Sequence, residues 1–402
     1  MSETEEVHGA SRFVRDGVKD RSEALRIGLE TVVGTPFVGG NAIDTLCNGD
    51  EIFPAMLEAI RGAQSRVEFL TFVYWQGDVA EAFVEAFIER VNAGVEVFVM
   101  LDGFGGRLID GTLVKKMEEA GIEVRWFRPL ATWKVWRTDN RTHRKLLIVD
   151  GDLGFTGGVG IAEEWEGDAR NPKEWRDNHY RITGPAVQAL RAAFFENWVD
   201  SAQTISGLTG CLVDPKSGDG LRVQTVISSA SVGWSAVARL HEALILMAEK
   251  RVRIATPYFA PREAQTDRLV EALGRGVQVQ VIMPGPHIDK RVSELASAEA
   301  IDALLRAGAE LYRYQPTMFH HKLVSVDGLL ASIGSANFNM RSAFKDDELA
   351  LNVLDEGFTA EADAIFDEDL KNCLPLDPRR WRRRSAMRRA REIASRIVRH
   401  EV

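Results

Sequence analysis

Apolar residues in this chain fall into short blocks of two kinds, and the kinds alternate. Residues three and four apart on a polar background predict amphipathic helices. Runs of β-branched and aromatic residues bounded by Gly, Asn or Asp predict strands. Thus "AIRGAQSRVEFLTFVYW" (59–75) reads as a helix followed by a strand, and "RVNAGVEVFVMLDG" (90–103) as a helix end, a glycine turn and a strand. "LVKKMEEAGIEVRWFRP" (113–129) repeats that plan.

The same series then recurs. "LILMAEKRVRIATPYFAP" (244–261), "ALGRGVQVQVIMPG" (272–285) and "IDALLRAGAELYRYQP" (301–316) match the three blocks in order. Strands alternating with helices through short loops predict an α/β fold, with central strands buried on both faces. The expected architecture is two pseudo-twofold-related α/β/α sandwich halves with mixed sheets and a site at their interface. Residues 36–205 would form the first half and 206–376 the second, around a Gly/Ser/Asp-rich linker at 205–220. Residues 1–35 form an N-terminal segment, in which 10–33 predict a mildly amphipathic helix packed on the body, and 377–402 form a basic C-terminal helix.

One block is chemically odd. "THRKLLIVDGDLGFTGG" (142–158) places His143, Lys145 and Asp150 in a run that otherwise reads as a buried strand, and a lone case would be a hydrogen-bonded core histidine. It is not alone, because "FHHKLVSVDGLLASIGSANF" (319–338) repeats the spacing with His320, Lys322 and Asp327, 177 residues further on. With eight histidines in the chain, one chance match is expected roughly 0.02 times, and two at equivalent repeat positions roughly a hundredfold less often.

In a strand, residues two apart share a face, so each half presents one imidazole and one ammonium group in a common direction. Two such pairs suit a phosphodiester. The ammonium groups hold the non-bridging oxygens, one imidazole attacks phosphorus, and the other protonates the leaving alkoxide. Asp150 and Asp327 complete the repeated motif as candidate catalytic residues, although their place before a Gly turn suits bonding to backbone. Orienting carboxylates are expected within each half, with Asp177 beside His143 and Glu348 beside His320. The small residues after each motif, Gly158 in the first half and Ser335 with Asn337 in the second, are expected to bind substrate phosphate. No spacing suggests a metal site, since His179, His241 and His287 lie away from any ligand-like Cys or carboxylate pattern. No cofactor or metal is expected.

Composition narrows the partners. The formal charge is −9, yet residues 377–402 hold ten arginines against three acids, a local +7 that leaves −16 on the remainder. So acidic a body argues against nucleic acid as substrate. Trp381, Met387, Ala390, Ala394 and Ile397 recur at helical spacing among those arginines, as in a helix lying on an anionic membrane; an Arg-rich helix folded back on the acidic body is the alternative. Three scattered cysteines and an acidic N-terminus unlike a signal peptide suggest a reducing, cytoplasmic setting, and no window is apolar enough to span a bilayer.

The paired "HRKLLIVDG…FTGG" and "HHKLVSVDG…IGSANF" resemble the HKD motifs of the phospholipase D superfamily. With "ATPYFAP", "YQPTMFHHK", "GSANFNMRSAFKDDELALNVLD" and "HYRITGPAVQALRAAFFENW", the chain is most similar to bacterial cardiolipin synthases from about residue 36 to 385. The resemblance implies metal-independent phosphatidyl transfer through a phosphohistidine, with His143 as nucleophile, His320 as acid and base, and phosphatidylglycerol as both donor and acceptor. Lys145, Lys322, Ser335 and Asn337 would hold phosphate, and Asp177 and Glu348 would orient the histidines. A phospholipase D with water as acceptor, a nucleic-acid phosphodiesterase and a non-catalytic lipid-binding module are the competing readings. Two features depart from the family: Gly160 stands where Asn is usual, and the N-terminal transmembrane helices of many cardiolipin synthases are absent. The enzyme is expected to sit peripherally on the inner face of the cell membrane.

Overall fold

The computed structural model describes residues 20–129, 140–202, 218–230 and 235–385. Among the described residues, sixteen strands form one sheet. From the first repeat come β1 (Val38–Cys47), β2 (Arg66–Thr71), β3 (Glu96–Asp102), β4 (Glu123–Phe127), β5 (Arg141–Thr142), β6 (Leu146–Val149), β7 (Leu153–Gly157) and β8 (Asn178–Thr183). The second supplies β9 (Leu221–Ser228), β10 (Arg251–Ala255), β11 (Gln278–Pro284), β12 (Glu310–Tyr314), β13 (Leu323–Val326), β14 (Leu330–Gly334), β15 (Asp346–Leu354) and β16 (Cys373–Pro375).

The strand order is a near-palindrome. Outward from the adjacent β1 and β9, the first half runs β8, β7, β6, β2, β3, β4, and the second runs β15, β14, β13, β10, β11, β12, with β16 beyond. Within the halves the runs β2–β3–β4 and β10–β11–β12 are parallel and the other pairs, β12–β16 included, are antiparallel, as helical crossovers and tight hairpins respectively require. The fold is therefore the expected duplicated mixed α/β arrangement, with the two half-sheets joined edge to edge.

Strand periodicity sorts the core into layers. Leu146 and Ile148 face Leu190, Phe194 and Trp198 of the helix Ala186–Ala202, in a layer continuing across both halves to Phe358 and Phe366 of the helix Glu356–Lys371. Leu147 and Val149 face the opposite way, onto Phe83 and Phe87 of the helix Asp78–Asn92. The corresponding layer of the second half takes in Leu25 and Leu29 from the helix Arg21–Val33. That helix packs on the body as expected, while residues 10–19 of the predicted segment lie outside the described residues. So do residues 205–217 of the predicted linker. Trp381 departs from expectation: it is buried in the core of the second half, with the Arg384 guanidinium 4.4 Å above its ring. It is thereby removed from the apolar stripe of a membrane helix, whose other members, Met387, Ala390, Ala394 and Ile397, lie outside the described residues.

Asp150 and Asp327 explain the sharp turns after β6 and β13. Each has positive φ (52° and 56°) and is followed by a glycine with positive φ, an Asp-Gly turn within a three-residue loop closed by the Val149–Leu153 and Val326–Leu330 pairs. The Asp150 carboxylate accepts from the backbone N–H of Gln64, Ser65 and Arg66 at 2.8–2.9 Å. Asp327 accepts from Glu249, Lys250 and Arg251 in the same way. Both thus tie a hairpin to the entry of the neighbouring parallel strand, at the far ends of β6 and β13 from the histidines. The catalytic assignment of this pair is corrected: their carboxylates are consumed by backbone amides. Asp150→Ala and Asp327→Ala should each lower stability by about 2 kcal/mol in urea unfolding, with turnover per folded molecule nearly unchanged. A large loss of turnover at full stability would restore a catalytic role.

Candidate active site

The histidines are placed by backbone that crosses between the halves. β5 pairs in parallel with Asp346 and Asp347 at the start of β15, and the His143 N–H donates to the Asp347 carbonyl at 2.8 Å. In the other half, Arg176 and Phe319 form a parallel bridge, and the His320 N–H donates to the Arg176 carbonyl at 2.7 Å. Each histidine is thereby aligned with the residue just before the carboxylate of the opposite half.

The side chains follow. His143 Nδ1 lies 3.0 and 3.2 Å from the two Glu348 oxygens, and His320 Nδ1 lies 2.6 Å from Asp177 Oδ2. The expected pairing inside each half is corrected: Glu348 serves His143 and Asp177 serves His320. The cause is the crossing itself, which carries each histidine over the seam before its own half's carboxylate strand returns. With Nδ1–H donated to a carboxylate, Nε2 of each ring keeps its lone pair, an assignment that rests on the hydrogen-bond network.

Lys145 and Lys322 share their histidines' faces. Lys145 Nζ donates to the His143 carbonyl at 2.7 Å. Lys322 Nζ donates to the His320 carbonyl at 2.5 Å and stands 2.9 Å from His320 Nδ1. All four groups and both carboxylates are buried.

The expected phosphate ligands divide. The Ser335 hydroxyl donates to Glu348, and its N–H to the Leu349 carbonyl, so Ser335 positions the carboxylate and is corrected from phosphate ligand. Gly158 is corrected likewise. Its N–H goes to the Asn178 carbonyl, and a Cβ there would sit 2.2 Å from Asp177 Oδ1. Asn337 is buried, its backbone N–H donates to the Ser342 hydroxyl at 3.1 Å, and its Oδ1 has no partner among the described residues. Gly160, at the equivalent place, has no room for an amide: a Cβ would meet the Val73 Cβ at 2.7 Å and the Trp165 ring at 3.2 Å.

Burial in a shared basic cluster sets the protonation states. Loss of hydration, then Lys145 and Lys322, hold His143 well below the usual imidazole range. Burial, followed by Lys322, lowers His320 to about 4. Burial and mutual repulsion bring Lys145 down to about 7, and burial brings Lys322 to about 8. The carboxylates differ. Burial pushes Glu348 up to about 7 despite Lys145 and Ser335, whereas at Asp177 burial is outweighed by Lys322 and His320, leaving it below the ordinary carboxylate range. A phosphodiester anion entering between the lysines would favour the charged form of every cation there.

Several residues were missed. Trp165 donates its indole N–H to Asp177 Oδ2 at 3.1 Å and packs edge-on to His320. Trp175 and Tyr258 complete the wall around that ring, while Phe72 packs against His143. Arg144 and His321, the residues between His and Lys of each motif, hold the seam. Arg144 bonds the carbonyls of Ala193, Ser228 and Glu348, and His321 faces Asn178 and Asp369. Their constant repeat position was the available signal. Among the described residues, no group of three or more His, Cys, Asp or Glu is disposed to hold a metal.

Comparison with known proteins agrees with this geometry. A family model described as "Cardiolipin synthase, PLD-like domain" matches residues 56–166 and 242–370. Cardiolipin synthase A of Pseudomonas aeruginosa is 30% identical over 392 residues, covering 96% of this chain and 79% of the relative. Cardiolipin synthase 1 of Bacillus anthracis is 31% identical over 387 residues, covering 92% and 75%. The crystal structure of a Haemophilus influenzae phosphatidylserine synthase superposes with a TM-score of 0.70 at 16% identity, over 94% of this chain and 100% of that one, a likeness of fold. With both motifs meeting at one seam, the chain belongs to the cardiolipin synthase family of the phospholipase D superfamily, a family of phosphatidyltransferases.

Proposed function

We propose that this protein transfers a phosphatidyl group between two phosphatidylglycerol molecules, making cardiolipin and releasing glycerol. The halves 36–205 and 206–376 would each supply one histidine. The observation that carries the reading is the pair of imidazole–carboxylate contacts across the seam, flanked by two buried lysines.

His320 takes up a proton at Nε2 when the phosphodiester anion enters; His143 Nε2 then attacks phosphorus, the P–N bond forms, and the bond to the glycerol oxygen breaks as His320 delivers that proton. The hydroxyl of the second lipid then gives its proton to His320 and attacks phosphorus, breaking the P–N bond. Lys145, Lys322 and the Asn337 amide hold the phosphoryl oxygens. The division of labour rests on the family resemblance, and the carboxylates support it: an ionised Asp177 beside His320 would stabilise the imidazolium that an acid needs, while burial and the two lysines favour a neutral His143. The aromatic wall of Trp165, Trp175 and Tyr258 favours a lipid alcohol over water as acceptor.

The enzyme would work peripherally on the inner membrane face, drawn by the arginines of 379–402. Among the described residues no helix is long and apolar enough to cross a membrane.

Purified protein incubated with phosphatidylglycerol vesicles should yield cardiolipin and glycerol by mass analysis. Phosphatidic acid as the sole lipid product would replace transfer with hydrolysis. His143→Asn and His320→Asn should each lower turnover at least about a thousandfold. A denaturing quench in alkaline detergent, which spares the acid-labile P–N bond, with phosphorus-labelled lipid should trap labelled protein in His320→Asn and none in His143→Asn, and label surviving loss of His143 would reverse the roles. Because burial lowers both lysines, their ammonium charge is lost at lower pH than for a free side chain. kcat/KM should therefore fall as pH rises through about 7 to about 8, and a profile flat to about pH 9.5 would contradict this.

A further inference from the structure

The loop after β11 has two working faces. On one, Asp289 accepts a 2.7 Å hydrogen bond from the Tyr258 hydroxyl, and Tyr258 packs against the His320 ring. On the other, Gly285, Pro286 and Ile288 line a cavity of about 610 Å³ that none of the catalytic groups enters.

Four arginines, Arg291, Arg313, Arg380 and Arg384, line this cavity with two acids, Glu294 and Asp377. Arg313 lies 3.5 Å from Glu294, Arg380 3.9 Å from Asp377 and Arg384 3.8 Å from Asp302 beyond the lining, so three of the guanidinium groups each have an acidic neighbour. Two of the four are fixed by the fold. Arg313 is largely buried and donates to the Pro284 carbonyl at 2.8 Å; Arg384 stacks on Trp381 and donates to its carbonyl at 3.0 Å. The others stand at the mouth: Arg291 is exposed, and the Arg380 side chain is 92% exposed. Ile288, Leu376 and Trp381 provide apolar walls between them. Outside the rim, Val292 and Leu374 are exposed at 45% and 59%, among the few large apolar side chains so placed.

Guanidinium groups on a rigid frame recognise phosphate oxygens. The volume suits a headgroup with its glycerol backbone better than a bare anion, and the exposed Leu374 and Val292 suit an acyl layer. We propose that this cavity binds the phosphodiester headgroup of an anionic membrane phospholipid, as a docking site separate from the catalytic phosphate site and sharing one loop with it. The proposal builds on the lipid reading above but is tested by binding, so the two can fail separately.

The full chain would be co-sedimented with phosphatidylcholine vesicles containing about 20% phosphatidylglycerol. The double variant Arg291→Ala/Arg380→Ala should partition about tenfold less, and Leu374→Ser should also bind less. Turnover of short-chain monomeric phosphatidylglycerol should be unchanged in both. As a charge-matched control, Arg61→Ala/Arg268→Ala, two exposed arginines elsewhere, should bind as the parent does. Unchanged partition of the first double variant, or an equal loss in the control, would overturn the site. Saturable competition by inorganic phosphate at low concentration would show a free-anion site and overturn the membrane assignment. The predicted vesicle binding without lipid turnover would support the site while removing the catalytic reading.

Discussion

Two short lengths of extended backbone cross the seam between the halves, and the site depends on them. β5 lies along the start of β15, and Phe319 bridges Arg176. Each crossing carries a histidine to the carboxylate of the other half, so neither half contains a complete imidazole–carboxylate pair. Buried polar groups reinforce the joint: the Arg176 guanidinium makes a two-pronged contact with Asp369 at 2.7 and 3.1 Å, and Asn197 donates to Asp347 at 2.6 Å. Removing one partner would leave an uncompensated charge in the interior, so these contacts fix the register of the seam more than they add net stability.

The seam also makes the electrostatics. Two imidazoles, two ammonium groups and two carboxylates share one desolvated volume, and hydration lost on burial is the first cause of every cation's shift. Such a cluster is poised for an anion, whose arrival supplies the charge that the lysines lack. The pseudo-symmetry breaks where chemistry calls for it. Ser335 and Ser342 surround Glu348, whereas Gly158 and the Trp165 indole surround Asp177. One carboxyl is raised and the other lowered, and near-identical motifs acquire different proton affinities.

Much of this was legible in the sequence. The repeat gave the duplicated fold, and the period-two relation of His and Lys gave the shared direction of each pair. The swap of Asp177 and Glu348 was not legible, because each acid heads a strand that returns in its own half and only tertiary crossing reassigns it. Ser335 and Gly158 were misread for a related reason: small residues near a motif signal close approach, and what approaches here is a carboxylate. Trp381 shows the limit of helical periodicity, which marks an apolar face without saying what covers it.

Site-resolved nitrogen NMR of the histidine rings would test the crossing most directly. In Asp177→Asn, His320 should lose its Nδ1-protonated tautomer while His143 keeps its own, and Glu348→Gln should do the reverse. A change confined to His143 on substituting Asp177 would contradict the cross-seam pairing on which this account rests.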